Sequence, residues 1–248
     1  MPNTNLAFGI DLSRYNTSAD GKLKPDFDII AAHKPEVVFI AMRASISWGY
    51  QDPWFSYYFS EATRINRVRL AYHVLFPGES PSVQMDNFFR ILGDIDLEYT
   101  PLVLDLELHH NHTVNTITKC TSEAVKIIKE RSGRIPFIYS RAGWINQYVK
   151  VSDLPPVHWW LAQYRWSRPY PLFTLEYESP PALPSGVSTW TIHQTANRGA
   201  SIGAKAMHYM DYNRWNGTKL DVYNFIGQSY HEPLICPIDH QPCPRLFV

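Results

Sequence analysis

Short apolar runs alternate with longer stretches of helical spacing along the first 150 residues. LAFGIDL (6–12), EVVFIAMRA (36–44), VRLAYHVLF (68–76), TPLVLDLEL (100–108) and IPFIYS (135–140) are nearly continuous apolar runs, rich in β-branched residues. Such runs predict strands buried on both faces. Between them, FDIIAAHK (27–34), DPWFSYYFSEATRIN (52–66), SPSVQMDNFFRILGDI (80–95), TVNTITKCTSEAVKIIKERSG (113–133) and AGWINQYV (142–149) carry helical spacing. Pro53 and Pro81 suit first turns, Ser80 suits a cap, and Gly133 suits a helix end. The pattern then changes. HWWLAQY (158–164), STWTIHQTA (188–196) and HYMDYN (208–213) read as strands joined by Pro- and Gly-rich connections, with no long helix between them.

Strands alternating with helices imply a parallel sheet covered on both faces. Eight strands closing on themselves make a barrel. The expected fold is therefore α/β, an irregular TIM-like barrel of eight strands and about five helices. The last three strands cannot all be parallel across helix-free links. The barrel is expected over residues 1–229, followed by a Cys- and Pro-containing tail over 230–248.

In such a barrel, side chains at the C-terminal ends of the strands form the site. That rule sorts the acids. Asp11 ends the first strand, Asp105 and Glu107 end the fourth, and Asp211 lies in or just after the eighth. First and eighth strands are neighbours in a closed barrel, so Asp11 and Asp211 should meet. Residues i and i+2 of a strand share a face. Asp105 and Glu107 therefore point with Val103 toward the barrel axis, and Leu104, Leu106 and Leu108 point outward to helices. Paired carboxyls suit glycoside hydrolysis, in which one donates a proton and another acts as nucleophile, activates water or stabilises positive charge at the sugar. The alternative is a structural ion pair with Arg14 or Arg43, because a D-x-E strand alone is a weak motif.

Composition narrows the partners. Twenty-three basic and 23 acidic residues give a formal net charge of zero, with no electrostatic footprint for nucleic acid. A neutral glycan fits better, and the 8 Trp, 15 Tyr and 12 Phe offer rings for it, although most rings in a domain are core. No run of about 18 apolar residues exists to cross a membrane, and MPNTNLAFGIDL has no signal-peptide pattern. The expectation is a soluble monomer, either released from the cytosol or secreted without its leader in this sequence. Cys120 reads as a buried helix residue. Cys236 and Cys243 could pair in an oxidising compartment, but three cysteines make no disulfide framework and no zinc pattern. HHNH (109–112) invites a metal, yet its spacing gives no fixed ligand geometry, and no metal is expected there.

GIDLSRY (9–15), AMRAS (41–45), AYHVLFPG (71–78), PLVLDLEL (101–108), IPFIYS, WWLAQY (159–164), WTIHQTA (190–196) and MDYNRWNG (210–217) occur in this order at barrel-strand spacing. Through these segments the sequence resembles the family 25 glycoside hydrolases, the Chalaropsis-type lysozymes or N-acetylmuramidases. The resemblance implies cleavage of the β-1,4 bond between N-acetylmuramic acid and N-acetylglucosamine in peptidoglycan, without a cofactor. It implies Glu107 as general acid/base and Asp105 as support for the substrate's acetamido group or as a charge stabiliser. Asp11 and Asp211 match the family's two further acids. Tyr72, Tyr139, Trp160, Tyr164 and Trp166 are then expected as saccharide-stacking rings, with Gln163 and Gln194 as hydrogen-bonding groups, and Phe76 as a weaker candidate. Many members carry wall-binding modules after the barrel. Here the short tail leaves wall recognition to the groove. Two other readings stay open: a non-catalytic wall-binding protein on the same barrel, and a chitin-type glycosidase.

Overall fold

The computed structural model describes residues 6–164 and 179–228. Trp166, Cys236, Cys243 and the tail 230–248 lie outside the described residues, so the expectations placed on them are not addressed by it. Among the described residues, nine strands and six α-helices follow in the order β1 (Phe8–Leu12), α1 (Phe27–Ala32), β2 (Val37–Ile46), β3 (Tyr50–Gln51), α2 (Phe55–Arg64), β4 (Val68–Val74), α3 (Pro81–Leu92), β5 (Leu102–Asp105), α4 (Val114–Ser132), β6 (Phe137–Ser140), α5 (Ala142–Tyr148), β7 (His158–Ala162), β8 (Ile192–Ala200), β9 (Tyr209–Trp215) and α6 (Lys219–Ile226).

The sheet runs β1-β9-β8-β7-β6-β5-β4-β2, and β1 also pairs with β2, so eight strands close into a barrel. Pairings from β1–β2 round to β7–β8 are parallel, whereas β9 runs antiparallel to both β8 and β1. The irregular end expected from the helix-free links is this single reversed strand. Helix signals also hold. Pro81 opens α3 behind Ser80, and Gly133 ends α4 in the left-handed region at φ 73°, a conformation that glycine adopts without a Cβ penalty.

Alternation along the strands builds two apolar layers. Phe39, Ala41, Leu70, Val103, Phe137, Trp160 and Ile192 fill the barrel. Ile40, Met42, Leu104, Ile138 and Leu161 face the helices. Gly9 is inward because nothing larger fits: a Cβ there would lie 2.4 Å from the Phe39 ring.

Two elements were not expected. β2 runs on to Ile46 and turns back into β3 as a hairpin, with Ser47 at φ 54°. Helix α6 closes the N-terminal end of the barrel. Its Val222, Tyr223 and Ile226 join the inner layer, and Phe225 packs edge-on to Trp215 at 5.0 Å. Arg134 fastens this plug by donating to the Phe225 carbonyl at 2.8 Å. With that end filled, the open mouth lies at the other.

Candidate active site

The mouth is a cavity of about 350 Å³ lined by residues from all eight of the barrel's strands. Inward parity brings the acids there. Asp11 follows Gly9 on β1, and it faces Asp211 of β9 in register. Asp105 follows Val103 on β5, next to Val74 of β4 and Tyr139 of β6. β5 ends at Asp105, so Glu107 lies just past the strand rather than within it. The chain stays extended enough to keep its parity. Leu106 donates its N–H to the Tyr139 carbonyl at 2.9 Å, and its own carbonyl accepts from the Ser140 hydroxyl at 2.6 Å. Leu106 thus points into the helix layer and Glu107 into the mouth.

The four acids sit in different surroundings. Asp11 is 7% exposed, and its Oδ2 accepts from Gln194 Nε2 and from Asn213 Nδ2, each at 2.9 Å. Burial raises its pKa, and these bonds together with one to Asp211 hold it back. Burial pushes Asp211 well above the carboxylate range, and the neighbouring Asp11 charge adds to that. A protonated Asp211 bonded to an ionised Asp11 satisfies both. Asp105 is also pushed well above the usual range, first by burial and then by the charges of Glu107 and Asp11, against the pull of Arg43. Its buried Oδ1 has no hydrogen-bond partner among the described residues. Glu107 is the accessible member, with its side chain 37% exposed. Burial still raises its pKa; Arg141, 4.0 Å away, lowers it, and Asp11 raises it.

The ion-pair alternative is not realised. Arg43 bonds Asp52 at 2.9 Å instead, and the Arg14 backbone N–H donates to the same Asp52 oxygen.

Of the expected binding residues, Tyr72, Tyr139, Trp160, Tyr164 and Gln194 all line the cavity. Gln194 is its organiser: Oε1 accepts from Tyr139 at 2.7 Å and from Tyr164 at 2.9 Å, while Nε2 holds Asp11. Tyr139 and Trp160 are 8% and 2% exposed. Too buried to offer a ring face, they form the floor, and Trp160 Nε1 donates to Asn213 at 2.9 Å. Gln163 is not among the residues that line the cavity. β7 ends at Ala162, and the Gln163 side chain turns away to accept the Ala182 N–H at 2.6 Å. The histidines of HHNH diverge. His109 stacks on Tyr148 and His110 on Phe76, while His112 packs over Gly78. Phe76 itself lies outside this cavity, in a neighbouring one.

The sequence reading missed Tyr15, Asn213 and the inward placement of Arg43. Strand parity carried a signal for two of them, since Arg43 follows Ala41 and Asn213 follows Asp211 by two residues.

Glycosyl hydrolases family 25 matches residues 10–204 by its family model. The chain belongs to that family. A relative in Escherichia coli K12, the uncharacterized protein YegX, is 25% identical over 244 residues, covering 94% of this chain and 78% of that one. Three solved structures share the fold. A lysozyme from Streptomyces coelicolor is 22% identical with a TM-score of 0.69, covering 90% of this chain and 98% of its own. A family 25 glycosyl hydrolase from Bacillus anthracis is 20% identical with a TM-score of 0.71, covering 91% and 94%. A family 25 lysozyme from Aspergillus fumigatus is 23% identical with a TM-score of 0.69, covering 90% and 100%.

Proposed function

We propose that the protein is a peptidoglycan muramidase that cleaves the β-1,4 bond after N-acetylmuramic acid, with Glu107 as general acid/base. The observation that carries the assignment of roles is the contrast within the acid cluster. Glu107 is exposed at the mouth, Asp105 and Asp211 are half-buried, and Asp11 is buried. The most exposed acid is the best placed to meet a glycosidic oxygen, and its raised pKa keeps a proton available for the leaving group.

The other three acids then act on charge. Asp105 lines the cavity, and its buried Oδ1 has no hydrogen-bond partner among the described residues. A substrate acetamido N–H there favours ionised Asp105 and shifts the shared proton toward Glu107. The Asp11–Asp211 pair supplies negative potential opposite β5, where the sugar ring gains positive charge. Tyr72 and Tyr164 border the sugar, and Gln194 fixes the frame. The work site of such an enzyme is the cell wall. Among the described residues no helix is long and apolar enough to cross a membrane.

The test is digestion of purified peptidoglycan by this protein and by Glu107→Gln, with borohydride reduction and mass spectrometry of the ends. Reduced muramic acid ends are expected, with loss of about 10²-fold or more in the variant. Reduced glucosamine ends would overturn the bond assignment. No product from either protein would leave wall binding without cleavage.

A further inference from the structure

A second cavity, of about 560 Å³, adjoins the catalytic one and shares Tyr15 and Arg43 with it. Its walls come from the loop after β1, the β2–β3 hairpin and the segment after β4. Ile46, Trp48 and Phe76 supply the apolar part, and Trp48 is 63% exposed at the hairpin tip. The polar part is led by two guanidinium groups, with the hydroxyls of Tyr15, Ser47 and Tyr50 beside them. Arg14 and Arg43 bracket the rings of Tyr15 and Tyr50, with guanidinium carbons 4.9 to 5.7 Å from the ring centroids.

Two donors here are buried and unused. Arg43 Nη2 and the Tyr50 hydroxyl have no hydrogen-bond partner among the described residues. The Arg43 side chain is 9% exposed. An orphaned buried donor is costly and marks a position for an acceptor. The acids nearby do not fill that position. Asp52 lies beneath, occupied by Arg43 Nε, the Arg14 N–H and the Trp54 N–H. Glu79 is bonded to the Ser47 hydroxyl and does not line the cavity.

We infer that this annex binds the acidic peptide stem that branches from muramic acid, with Arg14, Arg43 and Tyr50 holding a stem carboxylate and Trp48 and Phe76 covering its alkyl groups. The inference rests on the muramidase reading. A bare sugar needs acceptors as well as donors, and this annex offers mainly donors beside apolar walls. A stem carboxylate is an acceptor with apolar neighbours, and it is covalently linked to the sugar that the adjoining cavity would hold. Bidentate capture of carboxylates is what guanidinium groups do best.

The test compares kcat/KM on peptidoglycan strands carrying their stems with kcat/KM on the same strands stripped by an amidase. The ratio of the two is expected to fall about five- to tenfold in Arg14→Gln, chiefly through KM, to fall in Trp48→Ala, and to recover in part in Arg14→Lys. An unchanged ratio in Arg14→Gln would overturn the inference, whatever happens to total activity. If the unmutated protein cuts neither strand, the muramidase reading fails first. Calorimetric binding of N-acetylmuramyl-L-alanyl-D-glutamate then decides the annex. Binding weakened in Arg14→Gln supports it, and equal or absent binding rejects it.

Discussion

At the scale of single residues, the site is an exercise in placing charge. Glu107 is raised by burial and restrained by Arg141 at its exposed edge. A general acid works while protonated, so activity is lost as pH rises through its folded pKa. Arg141→Gln removes the restraint, and the alkaline limb of the kcat/KM profile is expected to move to higher pH. An unmoved limb would assign that limb to another group. Asp105 and Glu107 were legible in the sequence because their signal is local: two acids at i and i+2 in an apolar run. Gln194 was legible as a polar residue inside another such run. Asp52, the partner of Arg43, was not, because it meets Arg43 and the Arg14 N–H across 9 and 38 residues of chain. Gln163 falls between the inward-facing Ala162 and Tyr164, so alternation carries its side chain away from the mouth.

At the scale of elements, α3 is stitched to the sheet through a buried polar chain. The Ser45 hydroxyl meets His73 Nδ1 at 2.7 Å, and Gln84 closes the line by accepting the Phe76 N–H and donating to its carbonyl, each at 2.8 Å. Burial depresses His73 to about 3. The folded state therefore requires neutral His73. Its contribution is complete above the unfolded value near 6.5 and is lost as pH falls from there toward 3, at up to about 1.4 kcal/mol per pH unit. Urea midpoints at pH 7 and pH 4.5 check this. His73→Asn lowers the first midpoint but is expected to lose less than the unmutated protein between the two. All eight barrel strands and five helices were visible in the pattern, because their buried runs exceed any local ambiguity. Helix α6 was overlooked, although its capping box of Thr218 and Asp221 was there to read. The β2–β3 hairpin was hidden because it carries no paired turn glycines, only Ser47 in a left-handed conformation.

Across the whole molecule, the mouth is the part of the fold that opposes stability. Burial raises all four acids, so ionising them costs folding energy as pH rises through their folded values. Asp105→Asn removes one such charge and leaves the shape. It is expected to stabilise the protein by on the order of 1 kcal/mol, about 2–4 °C in melting temperature, while abolishing most activity. A lower melting temperature would mean that the charge is better solvated than its unpartnered oxygen implies.

The seam of the barrel also has a consequence in time. Asp11 is held by Gln194 and Asn213, partners 183 and 202 residues further along the chain. A ribosome adding about 5–20 residues per second has long since released the first strand before its partners exist. Until then Asp11 has no hydrogen-bonding frame, and the mouth has no far wall. Any nascent chain that stops short of β9 therefore carries Glu107 but no assembled site, so the ability to cut a wall arrives in one late step and not by degrees.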